Sequence, residues 1–218
     1  MIKIEYKNLK IIFTDNRINL SYKHIPYDEA KLNWERFRSN YLYKGLKLSY
    51  LTQIHSGIVR VANKEGWQGW GDGLITEKKN LGLIIFLADC TPLTVFDVSG
   101  SIICNLHCGW RSVHHGIIQR AIGSIRSMGG EKLLAVIGPS AKGCCYEVKE
   151  DVVERFSEYP QAFRMINGKI FFSLNKVIRE ILTQYNVEIL YESKLCTICC
   201  QNFFSYRRTT VSYTHLTL

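Results

Sequence analysis

Three apolar runs of strand length crowd the middle of this chain, at residues 81–87, 93–98 and 101–106. Each is too short for a stable helix and too continuously apolar for an exposed strand, so each reads as a buried strand. Ser99-Gly100 between the last two reads as a tight turn, which makes them a hairpin. Residues 133–137 and 187–191 add two further apolar strands, 57–62 a short one, and the alternation of apolar and charged residues over 1–7 an amino-terminal one. The segment 66–73 holds four glycines and two tryptophans and is expected to be a loop. Helical spacing predicts a helix over 28–42, carrying Leu32, Trp34, Phe37 and Tyr41 and stopping near Gly45. A second predicted helix carries Val113, Ile117, Ile118, Ala121, Ile122, Ile125 and Met128 and ends at Gly129-Gly130. Two more are expected at 147–156 and 174–185, the latter N-capped by Ser173. Strands and helices mix without a βαβ rhythm, so the expected class is α+β, with mixed sheets covered by helices.

With 218 residues, 46% of them apolar, the chain can bury a core without disulfide support. No run of 18 apolar residues exists, and the start lacks the pattern of a signal peptide. A cytoplasmic location is expected, with the eight cysteines reduced. The formal charge is +9, but the basic residues are scattered, and the densest spots, Lys78-Lys79 and Arg207-Arg208, are not basic arms. This argues for a solvated surface with some attraction for anions, and against nucleic acid or membrane as partners.

Cys90 and His107 each follow an apolar strand, so pairing of those strands would bring both to one sheet edge. Thiolate and imidazole suit zinc, and His55 offers a third ligand, leaving the open position of a catalytic site. Spacing alone favours packing and surface roles for these residues over a metal. Gly109-Trp110-Arg111 opens a helix, where Arg111 can hold a phosphate or carboxylate or simply be solvated. The CxxC run Cys196–Cys199 can ligate zinc or exchange disulfides, but a structural zinc needs a second pair. Cys144 and Cys145 are adjacent, a poor spacing for that, so ordinary thiols are the favoured reading. His24, His114 and His115 read as surface residues.

Taken together, Gln53-Ile54-His55-Ser56, Gly71-Asp72-Gly73-Leu74-Ile75-Thr76, Ala88-Asp89-Cys90-Thr91-Pro92-Leu93 and His107-Cys108-Gly109-Trp110-Arg111 resemble the laccase-domain proteins in order and spacing. These were long named multicopper polyphenol oxidases and are now read as purine nucleoside phosphorylases. Ile137-Gly138-Pro139-Ser140, Cys144-Cys145-Tyr146-Glu147-Val148 and Phe203-Phe204-Ser205-Tyr206-Arg207-Arg208 extend the resemblance over nearly the whole chain. It implies a single domain of mixed β-sheets packed face to face with helices outside (α/β/β/α), spanning 1–208. It implies zinc, with copper as the alternative, held by His55, Cys90 and His107. It also implies phosphorolysis of adenosine, inosine and methylthioadenosine to base and ribose 1-phosphate, and deamination of adenosine.

On this reading Cys90, His107 and Arg111 are catalytic, and Asn19, Gln53 and Arg111 bind substrate. Purine nucleosides and phosphate are the partners of a monomer. A zinc with an open position can activate water for attack at the purine C6, and Arg111 can orient phosphate near C1′. Ser56, Cys108 and Ser112 stand where the family usually has Gly, Ala and Gly, replacements that are tolerable unless the backbone needs positive φ. The family's Gly-Gly-Val-Ser-like segment is absent before Ile18-Asn19-Leu20. The tail, residues 209–218, departs from the family's usual ending and resembles a translated sequencing adapter, so the native carboxyl terminus is expected to be missing. Two other classes compete: a copper-dependent polyphenol oxidase, which six histidines poorly supply with four coppers, and a non-catalytic metal- or nucleic-acid-binding module.

Overall fold

The computed structural model describes residues 1–20, 22 and 25–209. His24 and the tail beyond Thr209 lie outside the described residues. In chain order, a hairpin of β1 (Ile2–Tyr6) and β2 (Leu9–Phe13) precedes α1 (Tyr27–Tyr41). The strands β3 (Lys47–Thr52), β4 (Val59–Val61), β5 (Gly66–Trp70), β6 (Gly73–Thr76) and β7 (Leu81–Leu83) follow. Next come β8 (Thr91–Asp97), β9 (Ile103–Cys108), α2 (Trp110–His114), α3 (Ile117–Ser127) and β10 (Leu133–Ile137). The last third holds β11 (Glu147–Val148), α4 (Glu150–Arg155), β12 (Phe163–Ile166), β13 (Lys169–Phe172), α5 (Leu174–Gln184), β14 (Val187–Glu192) and α6 (Tyr206–Thr209).

The central sheet has the order β14-β10-β8-β9-β6-β4 and mixes parallel with antiparallel pairs. Residues alternate between its two faces. On one face Leu93, Val95, Cys104, Leu106, Ala135 and Ile137 meet α3 and α5, which contribute Ile118, Ile122, Ile125, Val177, Ile178 and Ile181. On the other face Phe96, Leu134 and Val136 meet Leu9, Ile11 and Phe13 of β2, while Leu74 meets Leu51, Leu81 and Leu83 of the β5-β3-β7 sheet. Ile12 and Leu48 point away from the central sheet and are covered by Phe37 of α1. The order helix, sheet, sheet, helix matches the expected α+β domain. Among the described residues, no helix is long and apolar enough to cross a membrane.

Four local expectations need correction. Residues 66–73 are not a loop: β5 pairs in parallel with β3, with a register shift between Tyr50 and Thr52. Gly66 and Gly69 have φ of +93° and +99°, so these glycines mark an irregular strand. The apolar run 81–87 is a strand only to Leu83, because Phe86 bonds to the side chain of Gln53 rather than to a neighbouring strand. The helix after Arg111 is broken in two at Gly116, which has φ +74°. Finally, 147–156 divides into β11 and the shorter α4. Ser173 does stand at the start of α5, but its hydroxyl makes no capping bond.

Gly138, just after β10, closes the layers where the site begins. Its N–H donates to the Pro92 carbonyl (3.0 Å). A Cβ there would lie 2.4 Å from the Phe13 ring and 2.6 Å from the Pro92 ring. Phe13 is fully buried and has nowhere to retreat. Gly138→Ala is therefore expected to cost about 1–3 kcal/mol by overpacking. Chemical denaturation checks this; an unchanged midpoint would show that the layers can part there.

Candidate metal centre

β8 and β9 run antiparallel with Pro92 opposite His107 and Thr91 opposite Cys108. Cys90, one residue before β8, therefore lies beside the end of β9. The predicted juxtaposition is present, but its cause is the start of β8 rather than the end of the 81–87 run. His55 arrives from the loop after β3 with φ +58°, and Asp89 before Cys90 has φ +80°. Left-handed backbone is uncommon for residues other than glycine, although His and Asp tolerate it better than most. The ligand atoms of His55, Cys90 and His107 all lie within 4.8 Å of one another, and the two imidazole centroids are 4.8 Å apart.

Asp72 organises two of the three. Its carboxylate, fully buried, accepts the backbone N–H groups of Ile54 (3.3 Å), His55 (2.9 Å) and Ser56 (2.5 Å) and the Ser56 hydroxyl (2.7 Å). It also lies 2.8 Å from His107 Nδ1. Nδ1 is therefore the N–H that faces the carboxylate, which turns Nε2 toward Cys90 and His55 as the free ligand. Burial alone would raise the Asp72 pKa, but His107 and the Ser56 donors outweigh it and hold the carboxyl below its ordinary range. Burial would likewise raise the Cys90 thiol, yet His107 and then His55 hold it at about 6. His107 is shifted up to about 9: burial opposes this, while Cys90 and Asp72 drive it.

Gly109 forms the floor. A Cβ there would lie 3.1 Å from Cys90 Sγ and 3.1 Å from His55 Cδ2. The donor set of one thiolate and two imidazoles, with glycine beneath it, suits a soft or borderline divalent ion. His107 is buried, Cys90 half-buried and His55 exposed, so solvent reaches the group from the His55 side.

The other predicted residues are placed as follows. Arg111 is exposed in the first turn of α2, its guanidinium 4.3 Å above the Trp110 ring. Gln53 is engaged in a reciprocal pair with the Phe86 backbone, both bonds 2.7 Å. That clamp holds the segment leading to Cys90. Asn19 is tied by its carbonyl to Asn33 of α1 (2.9 Å). Ser56, Cys108 and Ser112 are not among the positive-φ residues, so the backbone accepts their side chains.

Sequence reasoning gave Asp72, Asp89 and Tyr146 no role, although each lies in a quoted motif. Asp89 accepts from the Thr197 hydroxyl (2.7 Å), the Ser205 hydroxyl (3.0 Å) and the Arg207 N–H (2.8 Å). Burial, and next the Cys90 charge, push the Tyr146 hydroxyl up to about 12. The Arg207 guanidinium lies 5.1 Å over the Tyr146 ring. Asp89 and Tyr146 thus tie the neighbourhood of Cys90 to the carboxyl-terminal segment.

The fold is thus a domain of layered mixed sheets that carries, at one end, a His-Cys-His group able to hold a metal ion. Residues 16–215 match the family described as multi-copper polyphenol oxidoreductase laccase, and the chain belongs to that family. A relative from Borreliella burgdorferi named purine nucleoside phosphorylase is 32% identical over 92% of this chain and 87% of its own length. One of the same name from Aquifex aeolicus is 31% identical over 79% of this chain and 81% of its own. A Neisseria meningitidis crystal structure, described as DUF152, superposes with a TM-score of 0.86 at 26% identity, covering 99% of this chain and 96% of the other.

Replacing Asp72 by Asn leaves the size of the side chain but removes its charge. Metal affinity is expected to fall roughly 10–100-fold, as read by competition with a chromophoric chelator. Unchanged affinity would mean that Asp72 supports only the fold.

Proposed function

We propose that this chain is a zinc-dependent purine nucleoside phosphorylase that also deaminates adenosine. The observation that carries this reading is the His55, Cys90 and His107 group, backed by Asp72 and floored by Gly109, in a chain whose relatives are named purine nucleoside phosphorylases. His107 is the buried anchor, Cys90 is half-buried, and His55 lies on the open side. When bound there, zinc supplies Lewis-acid polarisation of an oxygen ligand.

The chain's own groups account for substrate handling. In phosphorolysis a phosphate oxygen bonds to C1′ as the C1′–N9 bond breaks, and the base leaves with a proton. The Arg111 guanidinium lies 4.3 Å from the centre of the Trp110 ring, and face-on stacking there would leave its N–H edge for the oxyanion. Gly109, which borders the ligands, lies two residues before Arg111, and on this reading phosphate held by Arg111 meets the nucleoside beside the metal group. Adenosine, inosine and methylthioadenosine share the ribosyl–purine bond that this step cleaves. The Tyr146–Arg207 pair lines the neighbouring wall.

The family's description favours a second reading, oxidation of phenols at several coppers. Dioxygen reduction needs about four coppers held largely by histidine. Among the described residues, the groups able to hold a metal are the His-Cys-His set and an all-cysteine set, which is a poor match for that requirement.

Incubation with adenosine, with and without phosphate, tests the proposal. Adenine release that requires phosphate is expected, together with slower formation of inosine. No product from zinc-loaded protein would sink it, and several coppers per chain with phenol oxidation would favour the second reading. Cys90→Ala is expected to abolish metal binding at this group and turnover together. Arg111→Gln should raise KM for phosphate by roughly tenfold or more, the loss of a charge-assisted contact, with a much smaller change in KM for the nucleoside.

A further inference from the structure

The four cysteines outside the catalytic group that line the carboxyl-terminal side come together in space. The Ser140 and Cys196 segments pair as an isolated parallel bridge, with Thr197 N–H donating to the Ser140 carbonyl (3.1 Å). Beyond that bridge each segment makes a tight turn. Cys145 and Tyr146 both bond back to the Lys142 carbonyl (3.0 and 2.9 Å), and Cys200 bonds back to the Cys196 carbonyl (2.9 Å). Adjacent residues of a strand would point to opposite faces, but in this turn Cys144 and Cys145 both reach Cys199, at Sγ–Sγ distances of 3.5 and 2.7 Å. The sulfurs of Cys144, Cys145, Cys196 and Cys199 all lie within 4.8 Å of one another. The adjacent spacing that argued against a metal in the sequence is thus overcome by the turn.

We propose that Cys144, Cys145, Cys196 and Cys199 form a second metal site, which binds one zinc ion as a structural tetrathiolate. Four thiolates at about 2.3 Å from a tetrahedral zinc sit about 3.8 Å apart, a separation that falls between the closest and widest sulfur distances here. Cys196 is already set up as a thiolate acceptor. The Lys142 N–H reaches its sulfur at 3.4 Å, and the backbone N–H groups of Ile198 and Cys199 also bond to it. Such N–H···S contacts favour the charged form. A zinc tetrathiolate carries a net charge of −2, and Lys142 and Arg208 bring positive charge near it, with Glu192 also close to Lys142. Lys142 has a buried Nζ with no hydrogen-bond partner, and Arg208 clasps the carbonyls of Thr197 (2.7 Å), Ile198 (3.1 Å) and Cys200 (3.2 Å) in the second turn. All eight cysteines are free thiols, and Cys144 and Cys199 are exposed, so the ion has access. The role is a clip. It joins the turn that carries Tyr146 to the turn whose Thr197 holds Asp89, the residue before Cys90.

The test uses Cys90→Ala protein, so that the catalytic group contributes no metal and a failure of the proposed function leaves the result readable. Reduced C90A protein reconstituted with zinc and desalted is expected to hold one zinc per chain by mass spectrometry of the metal, and the C90A/C199S protein none. Cobalt loading of C90A should give the intense thiolate charge-transfer absorption of a four-sulfur centre, lost in C90A/C199S. In the C90A protein, four fewer thiols should react quickly with a thiol reagent when zinc is bound than after chelation. No zinc in C90A, an equal zinc content in C90A/C199S, or a Cys145–Cys199 disulfide in the zinc-reconstituted protein would overturn the proposal.

Discussion

Asp72 is a negative charge with no access to water, and the geometry of the candidate metal group follows from how that charge is satisfied. An unpaired buried carboxylate costs several kcal/mol even after relaxation. Here backbone donors from residues 54–56, the Ser56 hydroxyl and the His107 imidazole converge on it. The loop cannot swing away without stripping donors from a buried anion. The positive φ of His55 persists for the same reason: the strain of left-handed backbone, about 1–3 kcal/mol, is smaller than the loss of those bonds. The Asp72 main chain completes the link, because its carbonyl accepts the His107 N–H at 2.7 Å. One residue thereby fixes the backbone of the first ligand and both the backbone and the ring orientation of the third.

The sheet layers explain why such a charge is tolerated. His107 follows the period-2 alternation of β9, so it faces away from the helices, as Asn105 does, while Cys104, Leu106 and Cys108 face them. The inner space between the sheets therefore receives a file of polar groups from one strand. Each is satisfied by a neighbouring element: Thr94 donates to Asn105 (2.8 Å), Asn105 donates to the Leu83 carbonyl of β7 (2.8 Å), and His107 faces Asp72. The Asn105–Leu83 bond crosses from one sheet to the other, so this polar file also helps to set how the layers stack. Low dielectric between the sheets strengthens each of these interactions and makes each vacancy costly.

Much of the fold and of the metal group was legible because short-range periodicity carries it. The apolar sequences of β8, β9 and β10 and the stripes of α3 and α5 are local patterns, and burial follows them closely. His55, Cys90 and His107 were legible only through the ordered motifs around them, since their spacing is irregular. Glycines misled twice for opposite reasons. In β5, Gly66 and Gly69 let a strand continue through an irregularity, whereas Gly116 breaks what looks like one helix. Asp72 had no visible role because its partners are main-chain N–H groups of a distant loop, and these leave no residue-type signature. Gln53 shows the converse: a polar side chain in a motif near a ligand suggests substrate contact, but its amide is matched atom for atom by the Phe86 backbone.

Asp89 extends the same logic to the far side of the site. It sits in left-handed backbone immediately before Cys90, and donors from Thr197, Ser205 and Arg207 hold its carboxylate. Hydrogen bonds to a charged acceptor contribute about 1.5–3 kcal/mol each, enough to fix the conformation that aims the thiol. All three donors come from residues 197–207, which are themselves gathered by Arg208 onto the carbonyls of 197, 198, 200 and 203. The segment after β14 is thus part of the support of the His-Cys-His group even though none of that group's side chains comes from it. Two carboxylates, Asp72 and Asp89, each flank one of the buried ligands, one through an imidazole and the other through the chain. Position at the metal group is therefore set on both strands at one end of the β8–β9 pair, and the four-cysteine cluster lies where the second of these supports is anchored.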